Sequence, residues 1–261
     1  MNPKTILPNL ALVCTALCLL PVTLNAAAPA TSTEGISADT ILKQMSGKLS
    51  AARKFSFKAR REIGRDLAGG DGLHGKSEIA VTVQRPDKMT ASATIPSDKR
   101  RFYFDGKELT LVDETKNVYS TVPMAVSLDQ LPSELAQKFG FTPPVAEFLI
   151  SDLYQDLIWR AQSVEYRGTG NVGQVRCHRV GLTGRIADSE IWIAVSDLLP
   201  RQWVSKVKGT AGDTEIRFEL SKWNLEAKTQ DKDFVYSPGK NSLQVPMITE
   251  AEMAAARKAV K

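Results

Sequence analysis

The feature that most constrains this chain is a run of three short alternating segments in residues 100–122, RRFYFDGKELTLVDETKNVYSTV. Asp105-Gly106 lies between the first two segments, and such a pair between two β-rich runs is a strong hairpin signal, here predicting a type I′ turn. Leu109 and Leu111 alternate with other side chains in the second segment. The three segments therefore predict an antiparallel meander, which buries one face and requires further strands and an apolar layer against it.

Period-two alternation recurs on both sides of this meander. Before it, Ile79, Val81 and Val83 share one face of a predicted strand, and Phe55 and Phe57 share a face of an earlier one. After it, alternating runs occupy residues 164–166, 174–182, 189–195, 202–207 and 214–225. The sequence therefore predicts an α+β fold with about ten strands in one strongly curved antiparallel sheet.

An amphipathic helix is predicted before the first strand, beginning near Ser37 or Asp39. Its apolar side chains recur at helical spacing, at Ile41, Leu42, Met45, Leu49 and Ala52. This pattern gives the helix one apolar stripe, which we expect to pack on the sheet.

A second helical region, residues 127–159, separates the two strand sets and is unusually apolar. Ser127 and Gln130 match a capping box, Gly140 suits a helix end, and Thr142 before a proline suits a second helix start. Two interpretations remain open. The insertion either covers an open side of the sheet, or it forms a lid whose inner side lines a cavity shared with the sheet.

The N-terminus is typical of an export signal. Lys4 is the only charged side chain in the first 33 residues, residues 6–24 are mostly apolar, and Ala26 is a small residue suited to cleavage. We therefore predict a signal peptide over residues 1–26, a polar spacer over residues 27–36, and a soluble protein in the periplasm.

Cysteine usage agrees with that expectation. A cysteine that becomes a lipid-modified N-terminus needs a small residue directly before it, but Val13 precedes Cys14 and Leu17 precedes Cys18. We therefore predict that this protein is not a lipoprotein. Cleavage removes both cysteines and leaves Cys177, so a mature chain of about 235 residues must be stabilised by its core without an internal disulfide.

The formal net charge of +5 is a mild basic excess, with clusters in residues 53–65 and 99–101. These clusters are either a solvated face or a surface for transient contact with anionic lipid headgroups. We expect no nucleic-acid partner, because no nucleic-acid-binding motif accompanies the charge in an exported chain.

The order of segments resembles a known group of proteins. It is carried by FYFDGKELTLVDETKNVYS, an apolar insertion with a Pro-Pro helix start, GQVRCHRVGL, SEIWIAV, LPRQWV and a closing KWN with DFVYSP. Together they resemble the uncharacterised predicted periplasmic proteins related to the LolA, LolB and LppX lipoprotein-carrier superfamily. The resemblance covers residues 37–238 and leaves residues 239–261 as a C-terminal tail with a short helix. It implies a half-open β-barrel closed by a helical lid around a hydrophobic cavity, and no catalytic residues.

The residues suited to catalysis are few. His178 adjoins Cys177 on a predicted strand, so the two side chains point to opposite faces and cannot act as a nucleophile and base pair. We expect Cys177 to be a buried thiol, with a reactive thiol as the alternative. Asp105 and Asp113 are assigned to turns. With His74 as the other histidine, we predict no metal site, no cofactor and no enzyme activity.

We predict a binding protein for a hydrophobic ligand, an acyl chain or a lipoprotein, held between the sheet and the lid. Apolar side chains alone can hold an acyl chain, since each buried methylene contributes about 0.8 kcal/mol. The candidates for the cavity wall are Ile79, Val81, Val83, Phe102, Phe104, Leu109, Leu111, Phe148, Leu149 and Trp192. The alternative functions are an envelope sensor or scaffold that binds another protein through the same fold, and, third, a hydrolase with an unrecognised site.

Overall fold

The computed structural model of this chain describes residues 37–64, 75–95, 97–143, 145–209 and 212–259. The predicted signal peptide and spacer, and His74, lie outside the described residues.

A single sheet of twelve strands organises the described residues. The strands are β1 Lys54–Ile63, β2 Gly75–Gln84, β3 Lys88–Ile95, β4 Asp98–Phe104, β5 Glu108–Asp113, β6 Val118–Pro123, β7 Ala161–Val172, β8 Val175–Gly184, β9 Ala187–Ala194, β10 Pro200–Val207, β11 Thr214–Asn224 and β12 Leu243–Gln244. Their spatial order is β12-β6-β5-β4-β3-β2-β1-β11-β10-β9-β8-β7. Since β12 and β7 stay at opposite edges, the curved sheet is not closed, which confirms the predicted half-open architecture.

All strand pairs are antiparallel except that of β12, which runs parallel to β6. The strand count exceeds the expected number partly because this short strand comes from the C-terminal tail. The backbone N–H of Val245 also donates to the carbonyl of Tyr119, at 2.8 Å. The fold therefore continues into the tail beyond residue 238.

The hairpin predicted at Asp105-Gly106 is present, but its turn is not type I′. Gly106 has φ of 87°, whereas Asp105 is not among the residues with positive φ, and a type I′ turn requires positive φ at both. Instead the Asp105 carboxylate accepts from the backbone N–H groups of Lys107, at 2.9 Å, and Glu108, at 2.8 Å. The side chain thus closes a three-residue loop, because aspartate readily bonds to backbone groups two and three residues ahead.

In the described part of the chain, four α-helices accompany the sheet: α1 Ala38–Ala51, α2 Leu131–Phe139, α3 Leu153–Arg160 and α4 Glu250–Ala259. Ser37 caps α1 as predicted, accepting from the N–H of Thr40 at 3.1 Å. Gly140 ends α2 in the left-handed conformation. None of the helices in the described residues is long and apolar enough to cross a membrane.

The helix expected to start at Thr142 does not form there. Regular structure resumes only in the 3₁₀ turn Ala146–Leu149, after Pro143 and a second proline. A residue that precedes proline is driven away from the helical region of backbone conformations, so the Pro-Pro pair delays the helix. We call residues 131–160, which comprise α2, this turn and α3, the lid.

The main hydrophobic core lies between the helices and one face of the sheet, which we call the inner face. Buried side chains of α1, including Leu42 and Met45, and of the lid, including Leu135 and Leu153, join those of the strands in this cluster. The opposite, outer face is partly covered by the C-terminal segment, where the Tyr236 ring packs against two tyrosines of the sheet.

Candidate functional site

Nine of the ten predicted wall residues lie together at the interface between the inner face and the lid. Eight of them are buried in the main core, and Leu111 is partly buried against it. The strand members are Ile79, Val81, Val83, Phe102, Phe104, Leu109 and Leu111, and the lid members are Phe148 and Leu149. Strand alternation therefore assigned the seven strand side chains to a common face.

Trp192 lies on the other face. It stands between Ile191 and Ile193, which are both fully buried in the core, so alternation turns its indole outward. The Arg179 guanidinium lies 4.7 Å from the centre of the Trp192 ring, a cation–π contact on the outer face. The structure does not bring Trp192 to the predicted ligand site.

An aromatic cluster fills the space under the lid. Phe148 of the lid packs edge-on against Phe57, Trp203 and Trp223, with ring centres 5.5, 5.6 and 5.7 Å away. Phe57 and Trp223 are themselves stacked at 4.4 Å. The lid thus inserts one large aromatic side chain into a floor of three rings, a geometry that favours edge-to-face contacts.

Phe148 is among the wall residues predicted from the sequence, whereas the three rings beneath it, Phe57, Trp203 and Trp223, are not. Phe57 could have been found, since it shares the face of Phe55 in a run that alternates clearly. Trp203 and Trp223 could not, because a β-bulge or irregularity interrupts the register of the strands that carry them, and a bulge defeats simple alternation.

Arg85, in the turn between β2 and β3, holds the lid through backbone carbonyls. Its guanidinium donates to the carbonyls of Phe148, Leu149 and Ile150, at 3.4, 2.5 and 3.3 Å. Burial lowers the pKa of Arg85, and the Asp129 carboxylate opposes that shift. The guanidinium still carries its charge at neutral pH, so these are charge-assisted hydrogen bonds.

Further polar contacts hold the part of the lid that follows, at Ser151 and Tyr154. The Ser46 hydroxyl of α1 accepts from the backbone N–H of Tyr154 at 2.9 Å, and the Tyr154 hydroxyl bonds to the Asp39 carboxylate. Asp129 accepts from the backbone N–H and the hydroxyl of Ser151, at 2.5 and 2.8 Å. The lid therefore places apolar side chains such as Phe148 against the floor, while its polar contacts with the rest of the fold are concentrated in residues 148–154.

The central turn of the lid is locally unfavourable. Val145 has φ of 53°, a left-handed conformation that is rare for a β-branched residue. Glu147, two residues on, is partly buried, and burial raises the pKa of its carboxyl above the ordinary value. Both features oppose the closed position of this turn, so packing and hydrogen bonds must hold it.

The cysteine and histidine are arranged as the sequence predicted. Cys177 is fully buried, burial raises the pKa of its thiol, and neither feature suits a nucleophile. His178 points to the other face, where its ring lies 3.1 Å from the Tyr166 hydroxyl, and burial lowers its pKa. Asp105 and Asp113 both accept backbone N–H groups in turns, as expected.

Residues 38–248 match the model of a family described as predicted periplasmic protein, DUF2092. The chain belongs to this family. The match spans the sheet, the lid and the strand contributed by the tail, and it agrees with the resemblance noted in the sequence. No curated protein matches the chain.

Solved structures with a similar arrangement include three bacterial proteins. LprF from Mycobacterium bovis is 13% identical with a TM-score of 0.48, over 77% of this chain and 97% of LprF. LppX from Mycobacterium tuberculosis is 10% identical with a TM-score of 0.45, over 74% and 98%. A LolA superfamily protein from Nitrosomonas europaea is 11% identical with a TM-score of 0.36, over 77% and 98%.

Proposed function

We propose that this protein is a periplasmic binding protein for a hydrophobic ligand, an acyl chain or the lipid part of a lipoprotein. The observation that carries the proposal is the insertion of Phe148 into the aromatic floor. In this proposal the ring occupies the place of the ligand in the empty protein. The ligand enters when the lid lifts and Phe148 leaves the floor.

The energetics permit such an exchange. Removing a phenylalanine side chain from a core costs about 3 to 5 kcal/mol. Burying eight methylenes of an acyl chain contributes about 6 kcal/mol. A medium-length chain can therefore replace the Phe148 ring on the floor.

The bonds that hold the lid also suit opening. They join Arg85, Ser46 and Asp129 to backbone groups of the lid, and such groups can bond to water once exposed. The strained Val145 and the partly buried Glu147 lower the cost of lifting the turn. Elements of low local stability are the ones that move for ligand entry.

A ligand taken from a membrane requires a surface that can touch one. Trp159 of the lid and Ile186 are exposed by 83% and 77%, respectively. The chain segments that carry them meet at this edge of the fold, because Ala161 pairs with Gly184 across β7 and β8, and each of these residues is two positions from Trp159 or Ile186. We call Trp159, Ile186 and the adjacent Arg160, Arg185 and Lys208 the rim patch.

The rim patch combines apolar side chains with positive charge. Arg160 pairs with Asp156 and Lys208 with Asp188, whereas Arg185 has no carboxylate partner among the described residues. An exposed tryptophan beside cations suits the boundary of an anionic bilayer. We propose that the transient membrane contact occurs here.

The test is native mass spectrometry of the protein purified from the cell envelope without detergent, followed by organic extraction. The matched variants are Ala93→Phe on the inner face and Ser92→Phe, its neighbour on the outer face. We expect a stoichiometric lipid in the wild type and in S92F, and its loss in A93F. Equal occupancy in both variants would contradict the proposed position of the ligand.

The same experiment addresses the sensor or scaffold alternative. A wild-type protein that stays empty after incubation with membrane lipids would overturn the proposal. An envelope protein co-purifying in stoichiometric amount with that empty form would then favour the scaffold function.

A further inference from the structure

One cross-strand row of the inner face changes from aromatic to polar side chains. The row begins at Trp203 on β10, which touches Phe148 of the lid. It continues across the sheet through directly opposite residues: Phe218 on β11, Arg61 on β1 and Ser77 on β2. Directly opposite residues in an antiparallel sheet share a face. Neighbouring strands lie about 4.8 Å apart, and two such spacings separate β10 from β1. The backbones of Trp203 and Arg61 are therefore about 10 Å apart along this row.

Polar atoms in this part of the row lack partners. Ser77 is only 2% exposed, and its hydroxyl has no hydrogen bond among the described residues. The Arg61 Nε is likewise buried and unpaired. Buried polar groups in native proteins are almost always hydrogen-bonded, so two adjacent exceptions require an explanation.

The charge of Arg61 also has no counter-charge among the described residues. Its guanidinium forms no ion pair within the described residues, and burial lowers its pKa with no carboxylate opposing the shift. Its neighbour Arg60 faces the other way and pairs with Glu219. A desolvated cation without a counter-charge is costly, and such cations normally meet an anion.

We infer that Arg61 and Ser77 form a binding site for the anionic headgroup of the ligand whose chain lies on the aromatic floor. The guanidinium supplies a fork of N–H donors suited to a carboxylate or a phosphate, and the Ser77 hydroxyl supplies one more donor. The ligand is therefore an acidic amphiphile rather than a neutral one. This inference rests on the proposed function, since it concerns the other end of the same ligand.

Two other charged side chains among the described residues also belong to the inner face of the neighbouring strands. Arg100 and Asp98 lie on β4, with the Arg100 Nε 2.6 Å from one Asp98 oxygen, and the other Asp98 oxygen is buried and unpaired. Asp98 thus already accepts from Arg100, whereas Arg61 has no such partner in the part of the chain that the structure describes. The site for an anion is consequently centred on Arg61 and not on Arg100.

The experiment compares three ligands with the same chain: dodecanoate, dodecyl phosphate and dodecanol. Binding to the wild type is measured by isothermal titration at neutral pH, below the micellar concentration. We expect both anions to bind about 10- to 100-fold more tightly than dodecanol, because charged partners strengthen a hydrogen bond. A preference for dodecyl phosphate would identify a phospholipid headgroup as the source, and a preference for dodecanoate a free fatty acid.

The decisive variant is Arg61→Met, with Arg60→Met as its matched control on the outer face. R61M should bind all three ligands with the affinity of dodecanol, and R60M should keep the preference for anions. An equal affinity of the wild type for all three ligands, or a preference that survives in R61M, would overturn the inference alone. Absence of binding by every ligand, dodecanol included, would overturn the proposed function as well.

Thermal unfolding without ligand provides a second measurement. Because R61M removes a partly buried charge that has no counter-charge among the described residues, we expect it to raise the Tm by about 3 °C, and R60M should not raise it. A lower Tm for R61M than for R60M would show that a carboxylate of the chain itself neutralises Arg61, and would contradict the headgroup site.

Discussion

Phe148 of the lid meets Trp203 of the sheet edge to face, with ring centres 5.6 Å apart and ring planes at 86°. Phe148 is 2% exposed although it belongs to a 3₁₀ turn of four residues. Such a turn has little stability of its own, since its hydrogen bonds are few and poorly aligned. The position of this turn therefore depends on the fit of the Phe148 ring together with the Arg85 hydrogen bonds.

Replacing Phe148 with alanine should destabilise the protein and open the ligand site. The truncation leaves a cavity above three aromatic rings, so we expect the free energy of unfolding to fall by about 3 to 5 kcal/mol. Affinity for an acyl ligand should rise, because the ligand no longer has to displace the ring. Chemical denaturation and titration with a fluorescent fatty acid check the two effects.

The control for this variant is Phe141→Ala, which removes an aromatic ring of the same lid that is only partly buried. It should cost less stability and leave the affinity unchanged. Equal or weaker affinity of F148A relative to F141A would argue against displacement of the ring by the ligand.

Replacing Arg85 with methionine should loosen the lid without unfolding the sheet. The change removes the donors to three lid carbonyls, and a hydrogen bond to a charged group contributes about 1.5 to 3 kcal/mol. Compared with the wild type, we expect R85M to show faster hydrogen exchange of the backbone amides in residues 145–157 and faster binding and release of the ligand. Arg53→Met, an exposed arginine near the same turn, is the control. Unchanged protection of the lid in R85M would show that packing alone holds it.

Much of the fold could be predicted because period-two alternation marks a strand and its buried face. Ile79, Val81 and Val83 form such a run, and all three are buried as expected. Alternation does not, however, decide which of two apolar faces is inner. In β9 both Trp192 and its isoleucine neighbours are apolar, and the structure turns the isoleucines inward.

The polar parts of the site could not be predicted. Arg85 contacts carbonyls 63 to 65 residues away in the chain, and no local pattern indicates such a contact. Arg61 belongs to a basic stretch whose other described members are exposed, so its inner position depends on register. Its lack of a partner becomes visible only when all neighbouring strands are in place.

Removing the two exposed apolar side chains of the rim patch should weaken membrane contact. Burial of such a side chain contributes about 1.5 to 3 kcal/mol, so the double variant Trp159→Ser with Ile186→Ser should bind phosphatidylglycerol vesicles at least about tenfold less tightly. Cosedimentation measures this binding. Leu243→Ser, at the edge strand β12 and 63% exposed in the wild type, is the control. A loss in L243S equal to that in the double variant would place the contact elsewhere.

Glu147 should make the closed lid less stable as the pH rises. Burial, the largest influence, raises the pKa of this carboxyl above 4.5, with Arg160 opposing the shift and Asp156 adding to it. In the closed state the Glu147 carboxyl therefore keeps its proton to a higher pH than it does in the open or unfolded state. The stability of the closed lid therefore falls as the pH rises from the pKa of Glu147 in the unfolded state to its raised pKa in the folded state. Above that folded-state pKa the stability is constant.

Glu147→Gln removes this dependence, since a neutral amide cannot ionise. At neutral pH, E147Q should close the lid more firmly than the wild type, and the two proteins should converge below about pH 4. Amide exchange of residues 145–150 as a function of pH measures the difference. Glu134→Gln, which removes a partly exposed carboxylate of α2 that is paired with Lys138, should leave the pH profile unchanged. A wild-type profile retained in E147Q would assign the pH dependence to another group.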